Sequence, residues 1–306
     1  GTFNLVSRSN LSRKDIMNLV ADISPDGLFV SGWMDEDYLA IARKYLSSIP
    51  VALTMDNKWT GSFKQQFVAL SSSLFIRRHF NVAWVPGEDQ KKYALKMGFN
   101  NSKIFSGFYS ADTGKFNTIY SKRKDTKNNN RRLLYVGRYV EPKGLVLLWE
   151  AFISLHKDNP KWELHCVGTG DRFDSKVEHP NIFHHGFLQP SELEPLIKDA
   201  TAFVIPSLFE PWGVVLHEMA AAGLPLITSD AVGAAKTFVK DGVNGWTYSS
   251  SNKFELVNRL EQLYSLSDEE LFNMGGESHR ISKSISPDVW AEIAENIVVL
   301  NQTSSK

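Results

Sequence analysis

The stretch Ala202-Phe-Val-Ile205 and, after a short loop, Phe209-Glu-Pro-Trp-Gly-Val-Val-Leu-His-Glu218-Met-Ala-Ala-Ala-Gly223 reads as a buried strand running into a helix over Trp212–Ala222. Such a helix opens its first amides at the carboxyl edge of a sheet, and in open α/β sheets that edge is where ligands bind. Glu210 stands just before the helix and Glu218 about two turns inside it. Gly213 permits close backbone approach, and the free amides of the helix's first turn suit an anionic oxygen. On spacing alone the same carboxylates also read as a helix cap and a solvated face residue, so their meaning depends on the rest of the chain.

Outward from this stretch, short apolar runs alternate with helical patterns, the rhythm of parallel sheets covered by helices. Upstream strands are expected near Phe3–Val6, Gly27–Val30, Pro50–Thr54, Val82–Val85 and Lys103–Ser106, with helices such as Asp35–Leu46 and Phe63–Arg78 between them. The polar, basic run from Ser121 to Arg132 lacks apolar periodicity and reads as a linker. The rhythm then restarts at Leu133–Val136 and continues with strands at Glu163–Val167, Ile182–His184, Ala202–Ile205 and Pro225–Thr228. With 306 residues, about twice a usual domain, the division expected is a first domain over 1–121, a linker over 122–132, a second domain over 133–285 and a closing helix within 286–306.

The composition, 42% apolar and 22% charged, is that of a globular protein able to bury a core. The net charge of zero argues against a globally basic nucleic-acid binder. It conceals a split, +9 over residues 1–132 and −9 over 133–306, which suggests halves with different partners or chance clustering on solvated faces. The lone Cys166 cannot form an intramolecular disulfide or a Cys-rich zinc site, fits a reducing compartment and is expected to be a small buried hydrophobe. No apolar run approaches the ~20 residues that a membrane-spanning helix needs. The start Gly-Thr-Phe-Asn carries neither Met nor a signal pattern, and we read it as set by cloning, processing or editing.

A second constellation, Gly137-Arg138-Tyr-Val-Glu-Pro-Lys143-Gly144, opens the second domain directly after its first strand. Arg138 and Lys143 can present a planar fork and a point charge to a diphosphate, although a surface Arg and Lys near a turn read the same way. A third, Ile182-Phe-His-His185-Gly186-Phe187, ends a strand in a glycine turn whose backbone can read the edge of a base. His184 and His185 are adjacent and point to opposite faces, which makes them poor joint metal ligands. The Gly168-Thr-Gly-Asp171 turn is only half of a dinucleotide fingerprint, and neither a phosphate-binding Gly-x-x-x-x-Gly-Lys loop nor Gly-x-Ser-x-Gly is present.

In this order and spacing the segments resemble the donor-binding domain of glycosyltransferase family 4 (group 1), a retaining, metal-independent family with the two-domain GT-B fold. The resemblance runs through Gly137-Arg138…Lys143-Gly144, His185-Gly186-Phe187, Glu210-x7-Glu218, Ala222-Gly223-Leu-Pro225, Val232-Gly233 and Asp241-Gly-Val-Asn-Gly245 to Ser286-Pro-Asp-Val-Trp290. It implies an α/β fold of two Rossmann-like domains with a cleft between them, and a final helix crossing back to the first. By the same resemblance, Gly137, Arg138 and Lys143 would bind the donor diphosphate and stabilise the departing nucleotide. Glu218 would hold the ribose hydroxyls, and Glu210 would contact the donor sugar near the reacting centre. Gly213, Val214 and Val215 would cradle sugar and phosphate oxygens, and His185, Gly186 and Phe187 would contact the base. The catalytic set implied is Glu210, Arg138 and Lys143, with no metal and no cofactor beyond the nucleotide-diphosphate sugar donor.

The first domain conforms less. Pro25-Asp-Gly-Leu-Phe-Val30, Val51-Ala-Leu-Thr54 and Asp112-Thr-Gly-Lys-Phe116 resemble the later part of the family's acceptor domain. Where many members place a His, this chain has Met55-Asp56-Asn57, so Asp56 is either a sugar or acceptor contact or the cap of a turn. Only 24 residues precede Pro25, so the acceptor domain is expected to be shortened or to lack an upstream piece. The activity expected is transfer of a sugar to a glycan, a lipid-linked saccharide or another hydroxyl acceptor, in the cytoplasm, with peripheral contact to an anionic inner membrane face through the basic half and no nucleic-acid partner. The alternatives are a non-catalytic nucleotide-sugar-binding subunit and an epimerase or phosphorylase of the same fold.

Overall fold

The computed structural model describes residues 5–124 and 131–300. It divides into two compact units, one holding the residues up to Phe108 together with those from Ala291 on, the other running from Tyr109 to Trp290. In chain order the first contains α1 (Arg13–Ile23), β1 (Leu28–Ser31), α2 (Glu36–Tyr45), β2 (Val51–Thr54), α3 (Phe63–Phe75), β3 (Val82–Val85), α4 (Glu88–Lys96) and β4 (Ile104–Ser106). The second contains α5 (Thr113–Lys124), β5 (Arg132–Val136), α6 (Leu145–His156), β6 (Glu163–Val167), β7 (Ile182–His184), α7 (Pro190–Asp199), β8 (Ala202–Ile205), α8 (Val214–Ala221), β9 (Leu226–Ser229), α9 (Ala235–Phe238), β10 (Gly245–Tyr248), α10 (Lys253–Tyr264) and α11 (Asp268–Ser282). Helix α12 (Pro287–Val299) starts in the second unit and counts with the first from Ala291.

In the first unit the strands pair in parallel in the order β1-β2-β3-β4. Every residue of β2 and β3 is buried, as the unbroken runs Val-Ala-Leu-Thr and Val-Ala-Trp-Val require when both sheet faces are covered. Val51, Leu53, Ala83 and Val85 join Met97 and Phe99 in one cluster, while Ala52, Val82 and Trp84 meet Ile297 of α12 in another. Side-chain caps at Ser12, Asp35 and Ser62 set the starts of α1, α2 and α3.

In the second unit six parallel strands run in the order β7-β6-β5-β8-β9-β10. The chain builds outward from β5 to β7, then returns to place β8 against the other side of β5. This is the doubly wound Rossmann order, and it leaves a crevice at the carboxyl ends of β5 and β8, where successive connections leave to opposite sides.

The expected boundary after residue 121 is corrected: the units part between Phe108 and Tyr109, so α5 belongs to the second. The reason is packing. Phe116 and Ile119 of α5 are buried in the cluster formed by Leu216, Met219 and Ala220 of α8, and Tyr120 stacks on His279 at 3.8 Å between centroids. Two buried side chains of this size contribute about 2 kcal/mol each, more than a polar helix tail opposes. The linker over 122–132 is likewise occupied at both ends by structure. Lys122 pairs with Glu194 at 2.6 Å, and Arg131 and Arg132 pair with Asp268 and with Glu163 and Asp199. Arg123 donates to the carbonyls of Ile197, Lys198 and Ala200 at the end of α7, and burial brings its pKa down to about 10. Residues 125–130 lie outside the described residues, as do 301–306 at the end of the expected closing segment. Of the strand expected at Phe3–Val6, Phe3 and Asn4 also lie outside them, and Leu5 and Val6 are not in a strand. Strand β10 was not anticipated.

Candidate functional site

Two loops leave the sheet at its switch point. The one after β5 carries Gly137 and Arg138 and turns through the 3-10 segment Glu141–Lys143 into α6; the one after β8 carries Glu210 into α8. They are tied together by the Pro142 carbonyl, which accepts from Leu208 N–H at 2.8 Å and Phe209 N–H at 3.2 Å. Gly144 sits at φ +67°, and a Cβ there would run into the Pro206 carbonyl, so only glycine lets the two loops close. Closure brings the Lys143 ammonium onto the Glu210 carboxylate as an ion pair with side chains only 18% and 13% exposed.

Glu210 is held from its other side by the segment after β9. Its carbonyl accepts from Gly233 N–H at 3.1 Å, and the Trp212 carbonyl accepts from Ala234 N–H at 2.9 Å. The Val232-Gly233 pair singled out in the sequence is therefore the buttress of Glu210. Gly213 is left-handed at φ +92°, and a Cβ on it would lie 3.1 Å from both Glu210 Cγ and Val232 Cγ1. Helix α8 begins after it at Val214, later than expected, so Glu218 lies little more than one turn inside rather than two. The first-turn amides, those of Val214 and Val215 among them, have no intrahelical partner.

Glu218 is half-buried. Burial raises its pKa above the ordinary carboxylate value, Lys115 opposes the rise and Asp112 adds to it. Both neighbours stand at the entrance to α5, a segment that the sequence reading assigned to the other domain. Behind Glu218, His217 accepts from Ala111 N–H at its Nδ1 (3.1 Å) and donates from Nε2 to the Ser282 carbonyl (2.9 Å), which fastens α8 to that entrance and to α11.

On the β5 side, Gly137 N–H donates to the Val167 carbonyl at 3.0 Å and the buried Tyr135 hydroxyl donates to the Arg138 carbonyl at 3.0 Å. The Arg138 backbone is thus fixed while its side chain stays exposed. The next turn is anchored by Gly168 N–H on the Gly186 carbonyl at 2.7 Å, with His185 half-buried and Phe187 exposed. His184 and His185 do face opposite ways. His184 donates from Nε2 to the Val177 carbonyl and accepts at Nδ1 from the Tyr139 hydroxyl, both at 2.9 Å, whereas His185 reaches His165 at 3.0 Å. Among the described residues no group of three or more His, Cys, Asp or Glu is arranged to hold a metal ion. Cys166 is buried, and burial pushes its thiol up to about 12.

The expected site residues Gly137, Arg138, Lys143, His185, Gly186, Phe187, Glu210, Gly213, Val214, Val215 and Glu218 all lie in the second unit. Asp56 belongs to the other unit, half-buried directly after Met55, with its carbonyl accepting from Gln90 Nε2 at 3.2 Å. Tyr135, Asp112, Lys115 and His165 were missed. A tyrosine inside an apolar strand and a lysine in a segment assigned to the first domain carry no local sign of what they touch.

The strand order and the loops at its switch point define a Rossmann-type α/β unit with a cationic and two acidic side chains at its ligand edge. Residues 117–280 match the family described as Glycosyl transferases group 1, a match that starts inside α5. The chain belongs to this family. An uncharacterized glycosyltransferase of Methanocaldococcus jannaschii is 36% identical over 132 residues, 40% of this chain and 33% of that protein. Glycogen synthase of Mycobacterium tuberculosis is 34% identical over 229 residues, 70% of this chain and 54% of that protein. The chain thus spans between a third and about half of these curated relatives. Among solved structures, HepE of Anabaena in complex with UDP matches with a TM-score of 0.74 at 15% identity, covering 94% of this chain and 82% of that one. Sucrose-phosphate synthase from Thermosynechococcus elongatus matches with a TM-score of 0.74 at 15% identity, over 96% of this chain and 78% of that one. The fold is the two-domain GT-B fold, each domain Rossmann-like.

Proposed function

We propose that this chain is a retaining, metal-independent glycosyltransferase whose second unit binds a nucleoside-diphosphate sugar at the β5/β8 switch point. The observation that carries the reading is the juxtaposition of Lys143, Glu210 and the N-terminus of α8 at the one edge where a doubly wound sheet takes ligands. As the bond from the sugar C1 to the diphosphate breaks, the electron pair goes to the phosphate oxygen. Lys143 and Arg138 stabilise that charge, together with the amides of Gly213, Val214 and Val215. Glu218 accepts from the ribose hydroxyls. Glu210, released from Lys143 by the incoming diphosphate, faces the positive charge that develops on the sugar ring. The oxygen of a glycan or lipid-linked hydroxyl then bonds to C1, and its proton passes to the departing phosphate oxygen.

Peripheral contact with an anionic membrane in the cytoplasm belongs to the same reading, and α3 supports it. Phe63, Phe67, Leu70 and Leu74 recur at intervals of four, three and four residues and are 91%, 70%, 85% and 63% exposed. They form an apolar stripe opposite the buried Ser72 and Ile76, with the cations Lys64, Arg77 and Arg78 beside it. An apolar stripe flanked by cations suits the interface of an anionic bilayer. Among the described residues no helix is long and apolar enough to cross a membrane.

Calorimetric titration with UDP, GDP and ADP tests the donor site: one should bind, and Lys143→Ala should weaken it at least tenfold. Turnover of the matching nucleotide sugar then separates an enzyme from a binding subunit. If none of the three binds, the donor site is wrongly assigned.

A further inference from the structure

A chain of hydrogen bonds crosses one face of the second sheet from its amino edge to its carboxyl edge. Arg132 of β5 donates from Nε to Glu163 Oε2 at 2.8 Å, and the same oxygen lies 3.1 Å from His165 Nε2 on β6. His165 Nδ1 lies 3.0 Å from His185 Nε2 at the turn after β7. Glu163 and His165 are two apart on one strand and so share a face, and the parallel register sets Arg132 beside Glu163 and Phe183 beside His165. The two imidazoles meet edge to edge, with planes 16° apart and centroids separated by 5.1 Å.

The tautomers follow. A carboxylate only accepts, so His165 Nε2 must carry a hydrogen. A neutral His165 then offers a lone pair at Nδ1, and His185 Nε2 must donate to it. That leaves His185 Nδ1 without a hydrogen, an acceptor at the turn assigned to the base. One proton added to the pair changes this. Whether it sits on His165 or on His185, a single hydrogen still occupies the gap between the rings, and His185 Nδ1 now carries one.

We propose that His165 is a positioning residue of the nucleotide site, which keeps His185 Nδ1 an acceptor toward the base and turns it into a donor when the pair takes up one proton. The proposal rests on the donor-site reading above. The charged and titratable groups around the pair are Arg132 of β5, Glu163 of β6, Asp199 at the end of α7 and His184 of β7, with the Phe183 ring 4.9 Å from His165. Burial holds both imidazoles below the ordinary histidine value, so the pair takes up its proton on the acid side of that value.

The test uses the whole chain with 15N-labelled histidine. At pH 7.5 long-range nitrogen–proton spectra should show both His165 and His185 as Nε2–H tautomers, and an Nδ1–H His185 there would overturn the proposal. Affinity for whichever of UDP, GDP and ADP binds should fall about fivefold between pH 7.5 and 5.5, the loss of one hydrogen bond. In His165→Gln, and in Glu163→Gln should that variant fold poorly, His185 should lose its fixed Nε2–H tautomer at pH 7.5 and the midpoint of the pH dependence should move. An unchanged pH profile in both variants sinks the proposal alone. Absence of binding by all three nucleotides at both pH values sinks the donor reading as well.

Discussion

Lys143 and Glu210 neutralise each other although they come from loops after two different strands, β5 and β8. A diphosphate arriving at Lys143 therefore competes with a carboxylate already in place. Replacing Glu210 by Gln removes the competitor and should leave nucleoside-diphosphate affinity unchanged or raise it severalfold, while donor turnover drops by about a hundredfold or more. Calorimetry and a donor-consumption assay on the same preparation check both halves. Weaker nucleotide binding in the variant would mean that Glu210 serves the ligand rather than screening the cation.

Gly144 should tolerate no side chain. In Gly144→Ala the left-handed φ of +67° and the collision with the Pro206 carbonyl act together, and the loop after β5 must move away from the loop after β8. A loss of about 2 kcal/mol or more is expected, visible as a lower Tm, together with weakened nucleotide binding because Lys143 moves with the loop. An alanine variant with unchanged Tm would show that the two loops are not locked.

These relationships mark what the sequence could convey. Lys143, Glu210 and Glu218 were legible because a strand, a turn and a helix leave local signatures and the switch point follows from strand order. The entry to α5 was not. Phe116, Ile119 and Tyr120 lie in a segment whose surroundings are polar and basic, and only the tertiary contacts with α8 and α11 decide that it packs with the second unit. For the same reason Asp112 and Lys115 escaped notice beside Glu218. The basic excess of the first half is smaller at the first unit's surface than the sum over 1–132 suggests, since Lys122, Arg123, Arg131 and Arg132 serve the second unit and Arg8 and Arg13 are paired with Asp37.

Glu218 should trade stability for binding. Its folded pKa is raised by burial, so the folded state holds the proton more tightly than the unfolded chain. Stability from this group accordingly falls as pH rises from the ordinary carboxylate value through the raised one. In Glu218→Gln that loss disappears, and at pH 7.5 Tm should rise by about 2 °C while nucleotide affinity falls at least tenfold. A lower Tm would show that the carboxylate is structurally required.

Acid should destabilise the chain through its histidines. His79, His165, His185 and His217 are all held below their ordinary pKa by burial, so below pH 6.5 the unfolded chain binds more protons. Their contribution is complete above that value and is lost as pH falls through it. Tm should drop by about 5 °C between pH 7.5 and 5.5. His217→Phe should shrink that drop yet cost about 1–3 kcal/mol at neutral pH, because Ala111 N–H and the Ser282 carbonyl lose their partner.

The α3 stripe makes the membrane reading testable apart from the donor site. Phe67 and Leu70 are exposed, so the double change Phe67→Ser with Leu70→Ser removes apolar surface without opening a cavity, and Tm should stay within about 2 °C. Co-sedimentation with vesicles containing anionic lipid should fall severalfold in this variant. Changing Arg77 and Arg78 to Gln should also weaken it, and 0.5 M salt should mimic that second change but not the first, because ionic strength screens charge and leaves apolar insertion intact. Binding of wild type that is indifferent to anionic lipid, or equal binding by the serine variant, would assign the stripe to another partner.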